Sequence, residues 1–273
     1  MDMSALPKIV EVVLEEYQKL LKDRIPNTVE GLYLHGSISL NAFEADRSDI
    51  DFITVMNRRL TKDEADVLLE IHRDIARKYK IPEMEGVYIN WKDFGKIEND
   101  HQRYFYYNSG HLDYGPYFNF NPVTWTLLAK KGVKIIGPAI TDFEMDIPTQ
   151  QLQSYVVRNM NTYWVGRIRW LESSFAELLK MSVEEIQEEV EWTVLGLLRQ
   201  YYTLMECDII SKIEAGKYGL KHMPEEYHTI IKEAMNARAG GKESFIGSKR
   251  ERLELTIACS NYVVDYCNRA FII

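Results

Sequence analysis

The chain has 273 residues, 46% of them hydrophobic and 27% charged, a balance that excludes a disordered chain and leaves room for one large domain or two ordinary ones. A formal net charge of −8 argues against a broad nucleic-acid surface and fits a cationic partner better. No apolar run is long enough to span a bilayer, and the opening MDMSALPKIVEVVLEEYQKLLKD carries acids where a signal peptide needs an unbroken apolar region, so no membrane association and a cytoplasmic location are expected.

Leu6, Ile9, Val10, Val13, Leu14, Tyr17, Leu20 and Leu21 recur at three- and four-residue intervals and predict a one-sided helix over residues 4–22. EGLYLHGS predicts a strand ending in a turn, and SDIDFITVM a second strand. Thr61 with Glu64 three residues on is the capping-box signature of a helix start, for a helix reaching Lys80. GVYINW predicts a third strand. Residues 103–121 are Tyr- and Asn-rich with little periodicity, and a helix over 123–131 and a strand VKII, stopped by Gly137 and Pro138, follow. From about Thr149 strand signals vanish. Helices are predicted near 149–178, 183–213, 224–238 and 247–270, with turns at GKYG and ARAGGKES. Trp164, Trp170 and Trp192 have helical spacing and read as core, and Cys207, Cys259 and Cys267 read as reduced, packed thiols. The expected architecture is α+β: a small mixed sheet with helices over residues 1–148, then an all-α helical bundle over residues 149–273.

The chemistry concentrates in LHGSISLNAFEADRSDIDFITV, Leu34 to Val55. Side chains two apart on a strand share a side, so Asp49 and Asp51 project together while Ile50 and Phe52 face the other way. Two like charges that close, at the mouth of a buried strand, call for a cation. A hard divalent metal fits, since Mg²⁺ binds through one or two carboxylates plus substrate phosphates. Gly36 lets a phosphate approach the backbone, and Ser37 adds a hydroxyl donor. A solvated turn before a strand is the alternative for the acidic pair alone; the upstream Gly-Ser corner favours the site.

Gly-Ser, ten residues, then Ser48-Asp49-Ile50-Asp51 resembles the nucleotidyltransferase superfamily that includes DNA polymerase beta, and within it the bacterial aminoglycoside (streptomycin/spectinomycin) adenylyltransferases. The family carries a second Gly after the Ser where this chain has Asn41, a residue that also tolerates a left-handed backbone. The resemblance implies a nucleotidyltransferase domain over 1–148 and a helical substrate- and nucleotide-binding domain over 149–273. It implies that Asp49 and Asp51, with Glu85, hold Mg²⁺, two ions being expected, and that Gly36, Ser37 and Ser48 cradle the phosphates of ATP. EGVYI resembles the strand whose first Glu is the family's catalytic base, which places Glu85 in that role, with Glu83 as competitor and a charged strand entrance as the alternative for both.

In the helical half, Glu189 to Tyr227 resembles the family's carboxy-terminal domain, where an Arg is followed thirteen residues later by a Lys; here these are Arg199 and Lys212. The resemblance assigns both to the triphosphate, for which a forked guanidinium and a compact ammonium are suited. An internal salt bridge to a nearby Glu is their alternative. Glu185 and Glu189 stand where family members contact the cationic antibiotic, although Asp is more usual there, and an acidic first helical turn is the plainer reading. No counterpart of the family's streptomycin-lining Trp stands out among Tyr104, Phe105, Tyr106, Tyr107, Tyr114, Tyr117 and Phe118. His35 reads as a packed strand histidine.

The function expected is ATP- and Mg²⁺-dependent transfer of AMP to a hydroxyl of a cationic small molecule, an aminoglycoside or aminocyclitol such as streptomycin or spectinomycin. A small-molecule acceptor and ATP are then the partners, without nucleic acid or membrane, and the expected state is a monomer. The alternatives are a nucleotidyltransferase acting on a protein or RNA hydroxyl, and a nucleotide-binding sensor without catalysis.

Overall fold

In the computed structural model, which describes residues 6–96, 102–241 and 244–271, the chain divides into two units, Met1–Ile147 and Pro148–Ile273. Residues 4 and 5 of the first expected helix, and 242 and 243 of the ARAGGKES turn, lie outside the described residues.

The first unit is organised by one six-stranded mixed sheet. Its strands are β1 (Val29–Leu34), β2 (Ile50–Met56), β3 (Met84–Ile89), β4 (Tyr104–Asn108), β5 (His111–Gly115) and β6 (Val133–Ile136), in the spatial order β5-β4-β3-β2-β1-β6. β2 and β3 run parallel, and every other neighbouring pair is antiparallel. The parallel pair needs a crossover, supplied by helix α3 (Lys62–Lys78). Thr61 and Glu64 form the expected reciprocal cap at the start of α3.

Period-two alternation explains why the central strands are apolar on both faces. On one face Leu32, Leu34, Ile50, Phe52, Met56, Met84 and Tyr88 pack with α1 (Lys8–Arg24) and α3. On the other, Tyr33, Ile53, Val55, Val87 and Ile89 pack with Tyr117 and with Trp125 and Leu128 of α4 (Pro122–Lys131). Buried hydroxyls in the first layer satisfy one another: Tyr17 Oη lies 3.0 Å from Thr54 Oγ1 and 2.8 Å from Tyr88 Oη, which meets His72 Nε2 at 2.6 Å.

The Tyr-rich segment that showed no clear period holds a β-hairpin. Ser109 (φ 50°) and Gly110 (φ 79°) both adopt the left-handed backbone that a two-residue hairpin turn requires. Asn41, at φ 52°, likewise sits in the left-handed region, in the turn after the short helix α2 (Gly36–Ser39).

The second unit is helical: α5 (Thr149–Asn159), α6 (Val165–Ser173), α7 (Phe175–Leu178), α8 (Val183–Val190), α9 (Gly196–Glu206), α10 (Lys212–His222), α11 (His228–Arg238) and α12 (Lys249–Ala270). The single helix expected over 183–213 is broken. Cys207 takes a left-handed C-cap (φ 52°) that ends α9, and Ser211 with Glu214 caps a new helix whose first residue is Lys212. π-helical turns at Met160–Trp164 and Glu191–Leu195 each spread the backbone past 3.6 residues per turn and rotate the residues beyond them about the helix axis. Trp164 belongs to the core (6% exposed), whereas Trp170 (43%) and Trp192 (47%) lie outside it; six residues of regular helix turn Trp170 about 120° away from Trp164. α11 and α12 are joined by a buried pair, Arg252 Nε to Glu233 Oε1 at 2.8 Å, with Phe245 N donating to Glu233 Oε2 at 2.7 Å. No helix among the described residues is long and apolar enough to cross a membrane.

Because Asn41 tolerates its backbone through a short polar side chain, Asn41→Gly should leave stability within about 0.5 kcal/mol of wild type and Asn41→Val should cost roughly 1–2 kcal/mol, read as shifts in urea midpoint at constant slope.

Candidate active site

The site is assembled where β1 ends and β2 and β3 begin. In the parallel ladder Asp51 is the direct partner of Glu85, so backbone hydrogen bonds hold the two carboxylates side by side. By alternation, Asp51 shares its face with Ile53 and Val55, and Glu85 with Val87 and Ile89. Both acids therefore crown the core layer that contains Tyr117 and Trp125. Asp49 is exposed just ahead of β2.

β1 supplies the floor. His35 N donates to Asp51 O at 3.1 Å, tying the end of β1 to β2. Gly36 is next, with φ +61°, and a Cβ there would lie 1.8 Å from Asp51 Oδ2. Glycine is required on both counts, backbone conformation and room for the carboxylate. The close approach that Gly36 permits in this fold is that of Asp51. The Ser37 hydroxyl is buried without a hydrogen-bond partner, as is His35 Nε2, and burial pushes the His35 imidazole down to about 4, keeping it neutral. Ser48 is buried and its Oγ accepts from Glu44 N at 3.1 Å, which braces the loop that delivers Asp49.

Glu85 is half-buried and its carboxyl is pushed up to about 7, by burial first and then by the Asp49 charge and, more weakly, that of Glu83, against a hydrogen bond from Asn119 that holds it down. Asn119 Nδ2 donates to Glu85 Oε1 at 2.8 Å. Glu83 is exposed and precedes the strand, its carbonyl accepting from Ile50 N at 2.7 Å, so the register favours Glu85 as the acid beside Asp51. Among the described residues no three His, Cys, Asp or Glu side chains enclose a metal ion by themselves. The donors present nevertheless suit Mg²⁺: hard carboxylate oxygens, an Asp49 charge that adds to burial in raising Glu85, and an orphaned serine hydroxyl next to Gly36.

In the helical unit the predicted residues have partners. Lys212 Nζ pairs with Glu191 Oε1 at 2.7 Å and lies 4.9 Å from the Trp192 ring centroid, which is the internal salt bridge weighed as its alternative. Its ammonium is held below the usual lysine range by burial first, with Glu191 opposing and Arg238 and Arg199 adding to the lowering. Arg238 Nη1 also reaches Glu191 Oε1, at 3.5 Å. Lys212 and Arg238 thus share one carboxylate, with the Arg199 charge acting on Lys212, and Arg238, at the end of α11, carried no sequence signal. Glu189 is buried, gripped by Arg167 through both carboxylate oxygens, and its Oε1 accepts from Thr193 Oγ1 at 2.6 Å. Glu185 closes the cap of α8, accepting from Ser182 N at 2.7 Å.

Asn119 was missed by the sequence reading. The signal available was FNFNP, where Asn121 and Pro122 mark a helix start, and Asn121 Oδ1 does accept from Val123 N and Thr124 N at 3.0 and 3.1 Å.

Residues 168–264 match the family described as aminoglycoside adenylyltransferase, C-terminal domain. An aminoglycoside (3'') (9) adenylyltransferase of Rhizobium radiobacter is 25% identical over 129 residues, 47% of this chain. That match spans only 42% of the relative's length. The crystal structure of spectinomycin adenyltransferase AAD(9) from Enterococcus faecialis, with ATP and spectinomycin, superposes with a TM-score of 0.64 at 20% identity, covering 93% of this chain and 99% of that one. The two chains share an α+β fold. The family match lies within the helical unit.

A carboxyl raised by the fold binds its proton more tightly folded than unfolded. Its stabilising contribution is therefore complete below the ordinary carboxylate range and is lost as pH rises through about 7. Glu85→Gln should match wild type near pH 4.5 and exceed it at pH 8.5 by on the order of 1 kcal/mol after solvent screening, measured by urea unfolding at both pH values. Gly36→Ala should cost about 2 kcal/mol or more, because left-handed backbone and Asp51 both oppose a methyl group.

Proposed function

We propose that this chain is an aminoglycoside adenylyltransferase that moves AMP from ATP to a hydroxyl of a cationic aminoglycoside or aminocyclitol. The observation that carries the reading is the in-register pair Asp51 and Glu85 on neighbouring parallel strands, with Gly36 against the Asp51 carboxylate. The family match and the likeness to a fold that binds ATP and spectinomycin in the enterococcal enzyme support the same reading. Streptomycin and spectinomycin are the first acceptors to test.

Asp49 and Asp51, with Glu85 at their side, would hold Mg²⁺, two ions in the arrangement expected. When bound, the metal neutralises phosphate charge and stabilises the attacking and leaving oxygens of an in-line displacement. The protein's residues do the rest. Ser37 and Ser48 offer hydroxyls to the phosphates, and Gly36 keeps the floor open. Glu85 takes the proton of the acceptor hydroxyl, whose oxygen forms the new bond to the α-phosphorus. The bond from that phosphorus to the β-phosphate bridge breaks, and pyrophosphate leaves with the electron pair. A carboxyl whose proton affinity is raised toward neutrality suits a base working near pH 7. Arg199 and Lys212 are assigned to the triphosphate, whose charge would compete with Glu191 for Lys212. Glu185 and Glu189 are assigned to the acceptor's ammonium groups, and at Glu189 an ammonium would have to exchange with the Arg167 guanidinium.

Incubation with ATP, Mg²⁺ and pooled aminoglycosides, followed by mass spectrometry, should reveal an antibiotic heavier by one adenylate. Asp51→Ala should lower transfer by at least about a thousandfold, roughly 4 kcal/mol of transition-state stabilisation, and near-normal turnover in that variant would sink the metal assignment. Glu85→Gln should bind ATP almost as tightly as wild type while turning over at least about a hundredfold more slowly.

A further inference from the structure

We propose that Asn119 is a positioning residue for Glu85: its side-chain amide fixes one carboxylate oxygen so that the other is presented to the acceptor hydroxyl. The inference rests on the assignment of Glu85 as the proton acceptor and adds to it a residue outside the strands that carry the acids.

The geometry is specific. Asn119 Nδ2 donates to Glu85 Oε1 at 2.8 Å. Only the amino end of the amide can face an ionised carboxylate, because both carboxylate oxygens accept and neither donates. A glutamate side chain has three rotatable bonds, and without a partner it would spend its rotamer freedom at a half-buried strand end. A single fixed oxygen leaves Oε2 with one direction, as near-attack geometry demands.

Asn119 is itself placed by core packing. Tyr117 is 5% exposed, its ring stands 5.4 Å from Tyr106 and 5.2 Å from Phe120, and its hydroxyl accepts from Asn119 Nδ2 at 3.5 Å. Two turn bonds flank it at 3.0 Å, Phe120 N to Tyr117 O and Asn121 N to Asn119 O. Asn121 then caps α4. The amide is therefore set between a buried tyrosine and a helix cap.

The residue type fits the task. A lysine or arginine here would neutralise Glu85 and remove its basicity, and an aspartate would add a charge to a cluster that already contains Asp49, Asp51 and Glu83. A neutral donor orients the carboxylate and leaves it able to take a proton.

The test is a double-mutant cycle. Asn119→Ala and Asn119→Asp are assayed for adenylate transfer with ATP and the acceptor identified by mass spectrometry, in the wild-type and Glu85→Gln backgrounds, with urea midpoints as the check on folding. Asn119→Ala should lower kcat about 10- to 100-fold with both KM values within about threefold, and Asn119→Asp should lower it further. In the Glu85→Gln background Asn119→Ala should change the residual rate less than about twofold. Asn119→Ser keeps a short donor and should recover part of the loss; if Asn119→Ala does not fold, Asn119→Ser and Asn119→Asp carry the same comparison. A kcat within about twofold of wild type for both Asn119→Ala and Asn119→Asp, or equal losses in the two backgrounds, would overturn the proposal. Near-wild-type transfer by Glu85→Gln alone would instead overturn the assignment of the base, so the two failures are distinguishable.

Discussion

The first unit depends on one unfavourable contact: two carboxylates, Asp51 and Glu85, set directly opposite each other across a parallel ladder. Like charges facing one another on neighbouring strands repel. The strands bear this because their remaining residues are apolar on both faces and bind helices on each side. Buried area near 25 cal/mol per Å² accumulates over Ile50, Phe52, Ile53, Val55, Val87 and Ile89, and the local cost is confined to the strand entrances. The raised proton affinity of Glu85 has a further origin, burial first and then the Asp49 charge. Natural sites commonly accept such local penalties where a charge must be ready to react.

The helical unit handles charge in the opposite way. Its assigned acids and cations find partners inside the same unit: Glu189 with Arg167, Lys212 with Glu191, Glu185 with the amide of Ser182. Lys212 occupies the first position of α10, where a cation opposes the helix dipole, so Glu191 has a physical reason to be there whether or not a ligand is bound. Recognition by this unit would proceed by exchange of ionic partners, in which the net gain is the difference between two similar interactions.

Much of this was readable from residue order because the signals are local. The Gly-Ser corner, the Asp-x-Asp strand entrance, the Thr61 and Glu64 cap and the tolerance of Asn41 for left-handed backbone all depend on residues a few positions apart. Other features depended on partners that order does not reveal. The pairing of β2 with β3 joins residues separated by a whole crossover, and Asn119 reaches Glu85 across 34 positions. The hairpin at Ser109 and Gly110 was hidden because Tyr104, Phe105, Tyr106 and Tyr107 are aromatic on both faces and mask the period of two. The reading of 183–213 as one helix failed at Cys207, a residue type with little tendency to announce a left-handed stop. Trp170 was misplaced because a spacing of six residues on a regular helix turns it about 120° away from Trp164, and Trp192 is an exposed residue within a π turn.

The crossover through α3 leaves the spacing of the two acids to the strands themselves. The spacing of the two acids is written in the hydrogen-bond ladder between central strands, each flanked by a further strand, and owes nothing to the length of chain that links them. Closing a longer loop costs only logarithmically more. Loops on either side of α3 can therefore lengthen without changing the spacing of Asp51 and Glu85, provided that Leu68, Ile71 and Ile75 keep α3 on the sheet.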